Sequence, residues 1–158
     1  MSIDYIAAEL DKAGEILRLY AKALSGREIH LIPHGATSAR GAGWMTPIND
    51  GRALSIKLPA KIDRFPTEKD NFDWYKVILT HQTAHFEFGT FDFRFDRPSK
   101  FFADWRLRLR PDYGLEHETR DLEWFLEMFP DQQLGSVIFD LLEDARVDAR
   151  MLAAYPGI

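Results

Sequence analysis

FDWYKVILTHQTAHFEF, residues 72–88, is preceded by Asp70 and Asn71 and followed by Gly89. Asp and Asn side chains accept from the free N–H groups of a first helical turn, and glycine supplies the left-handed backbone that ends a helix. The stretch reads as a helix capped by Asp70 or Asn71 and stopped at Gly89. Within it His81 and His85 stand four residues apart, so both rings emerge from one face, one turn apart. Two imidazoles so placed can reach a single zinc ion at about 2.0–2.1 Å.

Zinc then needs a third protein ligand, and in this arrangement a carboxylate from a later helix commonly supplies it. LLEDARVD, residues 141–148, offers Glu143 first and Asp144 second. Helical geometry alone does not choose between them. Asp148, one turn beyond Asp144, is placed to accept a histidine N–H from outside the coordination shell. The site expected from the residues is therefore His81, His85 and Glu143, with Asp144, Asp148 and Gln82 as outer or alternative members.

Gln82 matters for what such a site can do. In the metallopeptidase signature HExxH the glutamate after the first histidine takes a proton from the attacking water. The amide of Gln82 does not accept a proton near neutral pH. Loss of a general base costs about 10²–10⁴ in rate. Glu87, two residues past His85, falls on another part of the helix. The ordinary alternative to a metal is a buried histidine pair satisfied by carboxylates or backbone carbonyls.

Outward from this helix, residues 3–25 carry Ile3, Ile6, Leu10, Ala13, Leu17, Tyr20 and Leu24 at three- and four-residue spacing. That is an amphipathic helix, with Ser2 to cap it and Gly26 to end it. Glu28–Ile32 and Ala53–Leu58 alternate as short strands, and Pro59 closes the second. A small antiparallel sheet or hairpin is expected from them. FDFRFDRP and WRLRLRP, within residues 91–111, alternate again and suggest two more strands, with a helix through SKFFADW, residues 99–105, as the equal alternative. Glu118–Phe129 reads as a helix closed by Pro130. Asp131–Tyr155 is the longest helix, with Leu134, Ile138, Leu141, Leu142, Ala145, Ala149 and Leu152 on one stripe. The order helix, strands, helix, helix points to a mostly helical α+β domain over residues 1–158. The expected architecture is metallopeptidase (zincin)-like, with the small sheet beside the HxxxH helix and the Glu143 helix packed across it.

The 158 residues suit one domain, and 46% apolar residues with 13% aromatics suffice for a core. Without cysteine, disulfides and thiolate metal sites are impossible. The N-terminus lacks an apolar signal segment, and no apolar run approaches the roughly 20 residues of a membrane span. A cytoplasmic location is the expectation. A net charge of −5 argues against general affinity for nucleic acid or anionic membranes.

YKVILTHQTAHFEFGTFDF, residues 75–93, followed later by IFDLLEDARVDARMLAAYPGI, residues 138–158, resembles the N-terminal region of NorD- and CbbO-type activator proteins. ALSIKLPAKIDRF, residues 53–65, fits the same pattern, and the second segment is more weakly similar to the cobaltochelatase subunit CobT. The resemblance spans roughly residues 50–158. It implies an accessory domain in the activation of a metalloenzyme, of the nitric oxide reductase or Rubisco kind. It further implies a MoxR-type AAA+ ATPase and a client metalloenzyme as partners. His81 and His85 match the family's histidine pair, and Glu143, Asp144 and Arg146 match its Glu-Asp-Ala-Arg run. In that family a von Willebrand factor A domain follows, and its adhesion-site motif has no counterpart in these residues. The chain is therefore expected to be the N-terminal part of a longer protein.

With Gln82 in the base position, the expected function is non-catalytic, with zinc or another divalent ion as a possible structural staple. The alternative is a metal-dependent hydrolase with an atypical HQxxH site. A third reading rests on Arg94, Arg97, Lys100, Arg106, Arg108 and Arg110, threaded with aromatics, as a binding strip for RNA, single-stranded DNA or an acidic partner. Nearby Asp92, Asp96, Asp104 and Asp112 favour a solvated amphipathic face instead. Asp140, Asp144 and Asp148 form an acidic ridge whose usual state is likewise solvated.

Overall fold

The computed structural model describes residues 6–34, 53–94, 97 and 121–157. Along the chain it has β1 (Ala8–Glu9), α1 (Leu10–Ser25), β2 (Glu28–His34), β3 (Ala53–Pro59), β4 (Lys61–Ile62), α2 (Glu68–Glu87), a 3₁₀ turn (Thr90–Asp92), α3 (Asp121–Glu127) and α4 (Gln132–Ala154). The described residues are mostly helical with a small amount of sheet, an α+β arrangement.

The main strand pair departs from the hairpin expected of it. β2 and β3 run parallel, in register from Glu28 opposite Ala53 to His34 opposite Pro59. Residues 35–52 separate them, far more than the two to five residues of a hairpin loop. Parallel neighbours need a crossover of about a dozen residues or more, and this connection is long enough for one. The antiparallel pairing present is short, Ala8 with Ile62 and Glu9 with Lys61. That pairing also explains why the first helix begins at Leu10 rather than near Ser2. The Leu10 N–H bonds to the Ala60 carbonyl at 2.9 Å, so a strand contact takes the place of an earlier helical turn. Ser2 lies outside the described residues. Gly26 ends α1 as expected, in the left-handed region at φ 67°.

The core sits between α1, α2 and the parallel pair. Leu10, Ala13, Leu17 and Ala21 of α1 meet Ile56 and Leu58 of β3 and Tyr75 and Leu79 of α2. Each leucine or isoleucine among them stabilises the fold by about 1.5–3 kcal/mol when removed from water. The Tyr75 hydroxyl donates to the Pro59 carbonyl at 2.7 Å, which ties α2 to the end of β3. Burial pushes its phenol up to about 12. Phe72, Trp74 and Phe86 pack partly buried on this cluster, and Phe88 packs on a second one. Phe129 is exposed.

The start of α2 also differs from expectation. Thr67 is the cap, its hydroxyl accepting from the Asp70 N–H at 3.1 Å and donating to the Asp70 carboxylate at 2.6 Å. Asn71 is freed for another use. Fully buried, it donates to the carbonyls of Ile6 and Phe65 and accepts from the Phe65 N–H, each at 2.8 Å. Those bonds clamp the approach to α1 against the approach to α2. Gly89 ends the helical segment at φ 73°. The strand expected from residue 91 onward is replaced at its start by the 3₁₀ turn, and WRLRLRP lies outside the described residues.

α4 begins where the sequence placed it, with the Asp131 carboxylate accepting from the Leu134 N–H at 2.9 Å. Its buried positions, however, are Gly135, Val147 and Met151. The apolar stripe through Leu134, Ile138, Leu141, Leu142 and Leu152 is exposed. α4 turns to the interior the face that carries Val147 and Met151 between its charged residues.

Removing the Asn71 amide leaves three part-buried backbone groups without their protein partner, and each such loss costs about 1–3 kcal/mol, the lower end where water reaches the group. Asn71→Ala therefore lowers the unfolding free energy by roughly 3 kcal/mol or more in urea denaturation. A loss below about 1 kcal/mol would mean that these groups find other partners.

Candidate metal centre

α2 presents two faces to two partners. Tyr75 and Leu79 point into the core, and His81, Ala84, His85 and Phe88 meet α4. On α4 the facing residues are Asp144, Val147, Asp148, Met151 and, just past its end, Tyr155, spaced by threes and fours. Ala84, Val147 and Met151 make a small apolar contact that holds the helices together. Tyr155 donates its hydroxyl to Glu87 and closes the far end of the pair.

Between these apolar and polar anchors three atoms converge. His81 Nε2 and His85 Nε2 are 3.2 Å apart. Asp144 Oδ1 lies 3.4 Å from the first and 3.3 Å from the second. The rings stand nearly perpendicular, at 83°, with centroids 4.8 Å apart. His85 is 1% exposed and His81 is 28% exposed, so the cluster opens on the His81 side.

Each imidazole meets a second partner through its other nitrogen. His81 Nδ1 is 2.9 Å from the Asp148 carboxylate, the outer position anticipated for that residue. An ionised carboxylate only accepts, so the proton of a neutral His81 is on Nδ1 and its Nε2 carries a lone pair. His85 Nδ1 lies 3.0 Å from the Thr90 hydroxyl. Thr90 in turn donates to Glu143 at 2.5 Å.

Glu143, ranked first among the carboxylates by sequence, is placed differently from Asp144. It receives Arg146 through Nε at 2.7 Å and through a terminal nitrogen at 2.5 Å, besides the Thr90 hydroxyl. Asp144 is the carboxylate that faces both rings. The two residues are neighbours on a helix and differ in direction by about 100°, and only the rotation of α4 decides which one faces α2. Gln82 is buried and lines a groove of about 850 Å³ together with His81, Asp148, Trp74, Ile78 and Met151. His30 is exposed on β2. His117 lies outside the described residues.

Thr90 escaped the sequence reading. Nothing in GTF, residues 89–91, marks the threonine as part of a site. It arrives there because the left-handed Gly89 folds the chain back under His85. A side chain at Gly89 would also meet the Asp92 carboxylate at 3.0 Å. Arg146 donates to the Phe88 carbonyl at 3.0 Å and so ties the same turn to α4.

The electrostatics follow from these contacts. Burial holds the His85 imidazole below its ordinary range, and the adjacent His81 adds to the effect. Burial raises the Glu143 carboxyl, but the bonds from Arg146 and Thr90 outweigh it and leave the group below its ordinary value. Asp140, on the same ridge, is raised by burial and then by the charge of Asp144. The acidic ridge is thus not uniformly solvated, since Asp144 and Asp148 turn to the histidines.

Among the described residues, His81, His85 and Asp144 are the one group of three or more His, Asp or Glu side chains whose ligand atoms lie close enough to share an ion. No helix among them is long and apolar enough to cross a membrane. No family model, curated protein or solved structure matches the chain.

Asp140 supplies a pH test, read as a difference between variant and parent, that needs no substitution at the histidines. Its carboxyl is raised in the folded state, so its charged form costs stability above the folded value, and that cost vanishes below the unfolded value near 4. Asp140→Asn is expected to melt higher than the parent at pH 7, with the advantage fading as pH falls towards 4. Equal melting temperatures at both ends of that range would contradict the assignment.

Proposed function

We propose that the chain is a non-catalytic, metallopeptidase-like accessory domain in which His81, His85 and Asp144 hold a divalent ion. The observation that carries the metal is the spacing of the three atoms. Tetrahedral zinc with ligands at 2.0–2.1 Å sets neighbouring ligand atoms about 3.3–3.4 Å apart. The separations of 3.2, 3.3 and 3.4 Å match that edge. Two imidazoles and one carboxylate also suit zinc better than calcium or magnesium, which prefer oxygen. Zinc bound there would supply Lewis acidity.

The chemistry around the site supports a role without turnover. Gln82 replaces the base of the HExxH signature. Asp148 is engaged by His81, Glu143 by Arg146 and Thr90, and Glu87 by Tyr155. Each of these carboxylates already accepts a hydrogen bond, which lowers its tendency to take a proton from water. The resemblance to NorD- and CbbO-type activators gives the biological reading. On it, the domain serves the activation of a client metalloenzyme, working with a MoxR-type AAA+ ATPase in the cytoplasm.

One observation favours a hydrolase instead. Three protein ligands with an open fourth position is the count of catalytic zinc sites rather than of structural ones, and the groove beside His81 could receive a substrate. Elemental analysis and zinc titration of the unchelated protein decide first. One equivalent of zinc is expected, lost in His81→Ala and in Asp144→Ala. Absence of stoichiometric metal would sink the metal centre. A peptide library incubated with the zinc-loaded protein is expected to remain intact. Cleavage abolished by chelator would establish the hydrolase reading.

A further inference from the structure

Glu143 sits next in sequence to Asp144, is mostly buried, and carries three hydrogen bonds, yet it does not face the metal-binding atoms. Its bonds lead elsewhere. Arg146 grips it with two nitrogens, a geometry that keeps the carboxylate ionised and therefore an acceptor only. The Thr90 hydroxyl, 4% exposed, has one proton, and Glu143 Oε1 at 2.5 Å receives it. The remaining face of that hydroxyl oxygen can only accept. Its neighbour there is His85 Nδ1 at 3.0 Å. Two acceptors facing each other at that distance in a buried site would cost the desolvation of both. The ring's nearest acceptor is thus at Nδ1, 3.0 Å away against 3.2 and 3.3 Å at Nε2, which favours the proton of a neutral His85 on Nδ1.

We infer that Thr90 and Glu143 are positioning residues that hold His85 as its Nδ1–H tautomer and so aim the Nε2 lone pair at the atoms of His81 and Asp144. Arg146 anchors the relay at both ends, through Glu143 and through the Phe88 carbonyl beside the Gly89 turn. The two rings are thus oriented by different devices. His81 meets a solvent-accessible carboxylate directly, whereas His85 meets a buried carboxylate through a hydroxyl. Asp144 has no part in either support, which leaves its oxygen free for the ion. The inference rests on the metal reading for its consequence and on the hydrogen-bond chain for its content. Outer partners of this kind typically change metal affinity about 10–100-fold.

Nitrogen-15 spectra of the histidine rings test the tautomer in metal-free protein, and a chelator competition measures zinc affinity. Wild-type His85 is expected as Nδ1–H. Thr90→Val, which cannot accept from the ring, and Glu143→Ala, which frees the Thr90 proton to turn towards the ring, are expected to shift His85 towards Nε2–H. Both should weaken zinc binding about 10–100-fold. Thr90→Ser keeps the hydroxyl and should restore both readouts, which a simple packing defect would not do. Wild-type His85 found as Nε2–H, or a tautomer and zinc affinity unchanged in Thr90→Val and Glu143→Ala, would overturn the inference. A wild-type protein that binds no zinc but shows the Nδ1–H tautomer, shifted in the variants, would sink the metal reading alone.

Discussion

Three electron-rich atoms, two imidazole nitrogens and a carboxylate oxygen, are held within 3.4 Å of one another between α2 and α4. Atoms of this kind repel unless a proton or a cation sits among them. The helices nevertheless keep them there, because Ala84, Val147 and Met151 form an apolar contact beside them and Tyr155 reaches Glu87 beyond. Packing thus fixes the distance, and the electrostatic demand at the centre follows. The three atoms are close enough to share a metal ion, and burial disfavours the charged form of His85.

The surroundings are organised to the same end. Both imidazoles use their outer nitrogens on partners from α4 or from the turn after α2, so neither ring is free to rotate. The cost of burying Glu143 is offset by Arg146 and Thr90, and the same Arg146 pins the chain reversal that brings Thr90 into place. A site that depends on one glycine-enabled turn and one arginine is compact in sequence, from residue 81 to 90 and from 143 to 148. It is assembled across a much larger span of chain.

The site and the motif resemblance bear on different parts of the proposed function. Ligand atoms close enough to share an ion support the metal proposal, and Gln82 with the hydrogen-bonded carboxylates supports the non-catalytic one. The link to an AAA+ ATPase and a client enzyme comes from the motif resemblance alone. A fold never implies an activity by itself, and the two strands of the proposal stand or fall separately.

The histidine pair, the helix that carries it and the carboxylate helix were legible because helical periodicity is a local property. Spacing of four residues places two side chains on one face whatever the rest of the chain does. The start of α4 near Asp131 and the stop of α1 at Gly26 were legible for the same reason. What the sequence left open was how the elements meet. Parallel pairing of β2 with β3 depends on where the intervening chain goes, which alternation does not encode. The choice of Asp144 over Glu143 to face the rings depends on the rotation of α4 about its axis, and the exposed Leu134–Leu152 stripe shows that hydrophobicity alone would have turned that helix the other way. Thr90 joined the site through a backbone reversal at Gly89. Local chemistry therefore determined which residues could act, and the tertiary structure decided which of them do, because rotation and approach are set by packing between segments distant in sequence.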